Sequence, residues 1–213
     1  DWDAWRAPDA PTGIADHRLT ATRACVALGA EATPAHAVAA LRDHGTGPWG
    51  RPGRLDASSP PPPPGDVNAD WSGVTVCMHI RDYQCTTAAM VCDLPADSGA
   101  PIRTWAALGT SCVSAFLPVA LLRGPSHTTA VVPDVLGDAS CWRAFADLGR
   151  RVEVPGTQGS DALTEVREKL GPIEGDCWAE AELLWAADAG EQAWRRAANG
   201  WSDAVRDALL RLG

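Results

Sequence analysis

The chain has 213 residues, 46% of them hydrophobic and 21% charged, enough apolar material for one packed domain or two small ones. Its formal net charge is -9 with no basic run, which excludes nucleic acid and anionic membrane surfaces as electrostatic partners. No apolar run reaches membrane-spanning length, because the best of them, residues 112–122, is short and broken by Pro118.

Residues 1–16 are rich in Asp, Ala and Pro and form an irregular lead-in, with Asp16 placed to cap a helix from His17 to Gly29. Thr33-Pro34 is a capping residue followed by proline at the first helical position. It opens a second helix through Val38 and Leu41 that stops at Gly45. Periodicity is lost over residues 45–70, where Pro60 to Pro64 sit among Gly, Ser, Asp and Asn, so this stretch is a Pro-rich surface loop.

Residues 73–80 alternate, with Val74, Val76, Met78 and Ile80 on one face and Thr75, Cys77 and His79 on the other. Arg81-Asp82 is a two-residue connection into a second β-compatible run, Tyr83 to Asp93. In that hairpin Ile80 faces Tyr83 and His79 faces Gln84, so Cys77, His79, Gln84 and Thr86 share a face. Two further strands, residues 102–108 and 111–122, flank Gly109, giving an antiparallel meander over about 73–122. A loop then leads to a helical region, residues 138–213. Asp138 or Ser140 caps its first helix, with Trp142, Phe145 and Leu148 on one face. Ser160 opens the next, through Leu170. The last stretch, from Asp176, repeats every seven residues at Trp194, Trp201 and Ala208 and at Ala198, Val205 and Leu212, with interruptions at Gly190 and Gly200. The tryptophan stripe reads as a packed helix face. Helices, then strands, then helices make this an α+β chain.

Several common catalytic signatures are missing: there is no G-x-S-x-G elbow, Walker loop or H-E-x-x-H. Seven cysteines, none in a C-x-x-C pair, read as reduced core thiols of a cytoplasmic protein. Cys77 and His79 can donate two metal ligands, but no second pair stands at ligand spacing, so no metal or other cofactor is expected. As a nucleophile and base the same two residues are badly placed, since i and i+2 on a strand point in parallel.

The central region nevertheless resembles a family. Ala40-Leu41-Arg42-Asp43-His44-Gly45 is similar to the "LRDH" element of the secernins, and Thr75-Val76-Cys77-Met78-His79 to their "VCMH" strand. Cys85-Thr86-Thr87-Ala88-Ala89-Met90 resembles their "TT-small-Ser" strand. Trp105, Gly109-Thr110, Cys112, Ser114 and Phe116-x-Pro118-Val119 resemble their "tGT..PC.S.FKPV" segment. The order and approximate separations agree, and the match covers about residues 36–122.

Secernins are dipeptidase-type cysteine peptidases of the N-terminal-nucleophile hydrolase superfamily. The resemblance therefore implies part of a four-layer αββα sandwich, and hydrolysis of small peptide or amide substrates. In such enzymes the first residue of the mature chain supplies the nucleophile and its α-amino group manages the proton. Residue 1 here is Asp and the first cysteine is Cys25, so the resemblance implies the C-terminal portion of one hydrolase domain. Its partner is then the N-terminal half that carries the nucleophile, and a homo-oligomer is compatible with it. The family's Lys before the last Pro is Leu117, and its Ser in the "TT" strand is Ala89. No family catalytic residue maps onto this chain. His79, Gln84, Thr86 and Thr87 are the candidates for a wall of the substrate pocket. The alternatives are a non-catalytic binding or regulatory module on the same scaffold, or a truncated product without independent activity.

Overall fold

A computed structural model describes residues 12–44, 76–80, 84–97, 99–123, 128–153 and 157–213. The chain is α+β. Helices α1 (Thr12–Val26) and α2 (Pro34–Leu41) lead into six strands, β1 (His79–Ile80), β2 (Gln84–Cys85), β3 (Ala88–Asp93), β4 (Arg103–Leu108), β5 (Leu117–Arg123) and β6 (Thr128–Val131). Three helices follow, α3 (Ala139–Val152), α4 (Thr157–Ala186) and α5 (Glu191–Leu212). The Pro60–Pro64 segment, residues 73–75 and the Arg81-Asp82 connection lie outside the described residues.

The antiparallel meander is present, but displaced along the chain. Its order is β3-β4-β5-β6, so it spans residues 88–131 rather than 73–122. Residues 111–114 turn instead of extending, and the fourth strand is Thr128–Val131, from a stretch expected to be loop. β1 and β2 form a separate two-stranded ribbon in which His79 pairs with Cys85 and Ile80 with Gln84. That corrects the expected register by one residue, and a one-residue slip exchanges the faces of a strand. Cys85 therefore shares the face of His79.

Two helix boundaries also differ. α1 already runs at Thr12, so Asp16 lies inside it and does not cap it. α4 continues through Pro172, closing the break expected between Leu170 and Asp176. A mid-helix proline costs about 3 kcal/mol, but Val166, Leu170, Cys177, Ala181 and Trp185 form one buried stripe at helical spacing along α4. Burying such side chains is worth about 1.5–3 kcal/mol each, which outweighs the proline. The same balance carries α5 through Gly200, whereas Gly190 does mark its start.

Thr33 and Asp138 cap their helices as expected. Thr33 Oγ1 accepts from the His36 amide, and His36 Nδ1 accepts from the Thr33 amide, so a histidine takes the place of the usual Glu or Gln in a capping box. Asp138 accepts from the Ser140 amide at 2.7 Å. On α3, Phe145 and Leu148 are buried as expected but Trp142 is exposed, because the core-facing stripe instead uses Cys141.

The sheet has two unlike faces. Cross-strand partners place Val91, Trp105, Ala120 and Val131 on one side, where all are buried. Trp105 packs between Trp178 and Trp185 of α4, with ring centroids 4.8 and 5.3 Å away. The stack continues to Trp194 and Trp201 of α5 at 5.2 and 6.1 Å. The other side carries Ala88, Met90, Cys92 and Ala130, all exposed, with Ala106 and Leu121 half-buried between them. Met90 is 65% exposed. Thr104 and Val119, at the middle of that side, are buried.

Trp105 joins sheet to helices, so Trp105→Ala is expected to cost about 3–5 kcal/mol in a urea titration. A loss below about 1 kcal/mol would show that the stack does not hold the helical layer.

Candidate functional site

Three loop-proximal segments meet at one end of the sheet. The first is the end of α2. Arg42 follows the last helical residue, and its guanidinium donates to both carboxylate oxygens of Glu174 on α4, at 2.9 and 2.6 Å. It also donates to the carbonyls of Ser111 and Ser114, at 3.0 and 2.9 Å.

The second is the turn between β4 and β5. Gly109 opens it with φ of +76°, and a Cβ there would stand 2.9 Å from Cβ of Phe145, so both conformation and space require glycine. Ser114 Oγ donates to the Thr110 carbonyl at 2.9 Å, and Arg167 donates to the Ser114 carbonyl at 2.9 Å. The Phe116 amide donates to Glu174 at 2.7 Å. The third segment is the entry to β1, where the Cys77 amide donates to the Asp43 carbonyl at 3.1 Å.

These anchors bring four side chains together. His44, Cys77, His79 and Cys112 each present a nitrogen or sulfur atom, and all four atoms lie within 4.8 Å of one another. His79 Nε2 is 3.5 Å from Cys77 Sγ and 3.1 Å from Cys112 Sγ. Its Nδ1 faces Glu153 Oε1 at 3.0 Å, so Nδ1 carries the proton donated to the carboxylate and Nε2 points at the sulfurs. The His44 ring stands edge-on to that of His79, centroids 5.1 Å apart. Among the described residues, His44 Nε2 is buried with no partner at hydrogen-bond geometry. Cys77 is 0% exposed, and Cys112 and His79 are 3% exposed each.

Such packing sets the protonation states. The hydrogen bond from Cys112 lowers the Cys77 thiol most; with help from His44 and His79 it overcomes the opposing effect of burial, and the value falls to about 3. Cys112 rises well above 9.0, because it hydrogen-bonds Cys77, is buried and faces the charge of a neighbouring thiolate. Burial alone would lower His79, but its hydrogen bonds to Cys77 and Glu153 raise it to about 9.

Two expectations are corrected here. Cys77 and His79 do approach each other, because residues 76–77 bend and the pleat that would hold them parallel begins only at His79. A second pair of side chains able to ligate a metal does stand beside them: His44 and Cys112 join the cluster, although they are 68 positions apart in sequence (112 − 44) and have no local spacing signature. Both lie inside motifs that carried the secernin resemblance, and that was the available signal. Glu153 had none.

The four proposed wall residues do not share one environment. His79 is inside the cluster. Thr86 locks the ribbon, its amide donating to the Met78 carbonyl and its Oγ1 accepting from the Met78 amide, both at 3.2 Å. Thr87 is exposed, and its carbonyl accepts from the Gly109 amide at 2.7 Å. Gln84 has a described backbone in β2, but its side chain lies outside the described residues. A separate concavity of about 460 Å³, lined by Leu121, Arg123, Trp185, Glu191 and Trp194 among others, includes none of these residues.

No family model matches this chain, and neither a curated protein nor a solved structure matches it. Among the described residues, no helix is long and apolar enough to cross a membrane.

With divalent cations removed by chelation, Glu153→Gln should lower the His79 pKa from about 9, read by NMR titration of the imidazole. A raised pKa stabilises the fold fully below the ordinary value of 6.5 and ceases to do so as pH rises through about 9. The variant should therefore lose about 1–3 kcal/mol at pH 6 and little at pH 10. Equal losses at both pH values would show that Glu153 acts without regard to the charge on His79.

Proposed function

We propose that this chain is the helix-backed half of a secernin-like amidohydrolase that cleaves small peptide or amide bonds. In this reading the nucleophilic cysteine belongs to polypeptide that stacks a second sheet on the Met90 face. The observation that carries it is the asymmetry of the sheet. One side is buried under α4 and α5, while the other offers Ala88, Met90, Cys92, Ala106, Leu121 and Ala130, which are small or apolar and exposed or half-buried. Apolar sheet faces are covered in stable domains, and sheet-on-sheet stacking at about 10 Å is one standard solution. An αββα arrangement would bury that side and leave the helices outermost.

The convergence of the motifs supports the same reading. Arg42, His44, Cys77, His79, Cys112 and Ser114 come from three separate resemblance motifs and assemble at one end of the sheet. In this arrangement they are a rigid support behind a pocket rather than its reactive groups, because an attacking thiolate must reach a substrate carbonyl and neither Cys77 nor Cys112 is accessible. Chemistry would then rest with a cysteine whose own α-amino group takes the proton, as the resemblance implies.

That same inaccessibility favours a second reading, in which the scaffold is kept as a non-catalytic binding or regulatory module. Incubating the whole protein with a panel of dipeptides and small amides separates the two. The hydrolase reading expects turnover that stops on thiol alkylation at a cysteine other than Cys77 and Cys112, and at least about a tenfold loss in Met90→Asp, comparable to one misplaced support in the catalytic geometry. A folded protein with no turnover on any member of the panel overturns it and leaves the binding module.

A further inference from the structure

We propose that His44, Cys77, His79 and Cys112 bind a single zinc-type divalent cation in a closed, tetrahedral, structural site. This goes beyond the hydrolase reading and does not depend on it. The donor set is two imidazoles and two thiols, the combination that zinc takes in four-coordinate structural sites. Distances fit as well. Zinc–sulfur bonds of about 2.3 Å and zinc–nitrogen bonds of about 2.0–2.1 Å give a nitrogen–sulfur edge of about 3.5 Å in a tetrahedron. The Cys77 Sγ to His79 Nε2 separation is 3.5 Å and that from His79 Nε2 to Cys112 Sγ is 3.1 Å, so small side-chain adjustments admit the ion.

Three further features point to a ligand. Among the described residues, His44 Nε2 is a buried polar atom with no partner at hydrogen-bond geometry and only the sulfurs and His79 of the cluster nearby, which is costly unless something binds it. Glu153 holds His79 Nδ1 at 3.0 Å, the carboxylate–histidine arrangement that orients a metal-binding imidazole and presents its other nitrogen. Arg42 and Arg167 share the single carboxylate of Glu174, leaving net positive charge near Cys112 that favours thiolates.

A two-iron, two-sulfur cluster of the mixed Cys/His kind is disfavoured, because it separates its histidines and cysteines onto different irons, whereas His79 Nε2 touches both sulfurs here. A catalytic thiol–imidazole–carboxylate triad is also disfavoured, since Cys77 is 0% exposed and a second thiol occupies the same imidazole nitrogen. With four protein ligands and little exposure, the ion has no open position for substrate, so its role is to tie the end of α2, the entry to β1 and the 109–116 turn into one unit. Zinc needs both cysteines as thiolates and both imidazoles with a free nitrogen, so affinity falls as pH is lowered.

The test uses the full chain, zinc sulfate and cobalt chloride as probes, and elemental analysis after dialysis. About one zinc per chain is expected, as in other four-ligand structural sites. Cys77→Ser and Cys112→Ser should retain almost none, while Cys92→Ser, at an exposed cysteine on the sheet, should retain it all. Glu153→Gln should bind about 10–100-fold more weakly. Cobalt in the wild-type chain should give the intense visible bands of a tetrahedral thiolate complex, a readout that needs no variant to fold. Absence of those bands, or zinc held equally by the Cys77→Ser/Cys112→Ser double variant, overturns the proposal. Hydrolytic activity enters none of these readouts, so the result is independent of whether the chain belongs to a hydrolase.

Discussion

Glu174 fixes the relative position of three separately formed pieces of this protein. Its carboxylate receives two nitrogens of Arg42, a nitrogen of Arg167 and the Phe116 amide. Arg42 caps α2, Phe116 ends the turn before β5, and Glu174 itself lies on α4. The side chains of Arg42 and Glu174 are only 18% and 12% exposed. At that burial, losing one partner strands the others, and breaking such pairs costs about 3–5 kcal/mol. The bidentate geometry adds direction to the attraction, because a guanidinium fork and a carboxylate meet well in only one orientation. Arg42 also stands over the Phe116 ring at 5.1 Å, so the same side chain is held by charge and by the aromatic face.

From this clamp the rest of the site follows by short covalent steps. His44 is two residues from Arg42, and Cys112 is next to Ser111, whose carbonyl Arg42 holds. The Asp43 carbonyl takes the Cys77 amide and thereby brings in the β1 entry. Little is left for the four nitrogen and sulfur atoms to adjust. A preassembled donor set of this kind loses little conformational entropy when it closes on a ligand, which is the condition under which a buried polar cluster is stable.

Behind the site, the sheet and its helices are joined mainly by tryptophan. Five indoles in a row, from Trp178 through Trp105, Trp185 and Trp194 to Trp201, connect β4, α4 and α5 at centroid distances of 4.8 to 6.1 Å. Large rings bury much area at few rotatable bonds, so a handful of them can hold two long helices against a small sheet. Trp178 also donates to the Phe116 carbonyl at 2.7 Å, which links this stack to the Glu174 clamp. The helical layer therefore does more than cover the sheet, since it holds the turn that carries Cys112.

Local chemistry was legible in the sequence. Thr33-Pro34 and Asp138 announced helix starts, because a cap needs only residues within one turn. The seven-residue spacing of Trp194, Trp201 and Ala208 announced the buried face of α5 for the same reason, and the apolar runs announced an antiparallel meander. Four ordered motifs mark the region that holds the site, and Cys77-x-His79 offers two ligands, but without a second pair in the sequence it argues against a metal. Other features were set only by tertiary structure. The strand register, the bend at Cys77 and the passage of α4 through Pro172 each depend on packing partners far away in sequence. The pairing of His44 with Cys112 and the approach of Glu153 to His79 depend on how the Glu174 clamp and the tryptophan stack place whole elements. A sequence pattern reports periodicity within one element; the distance between two elements is decided by the side chains that fill the space between them.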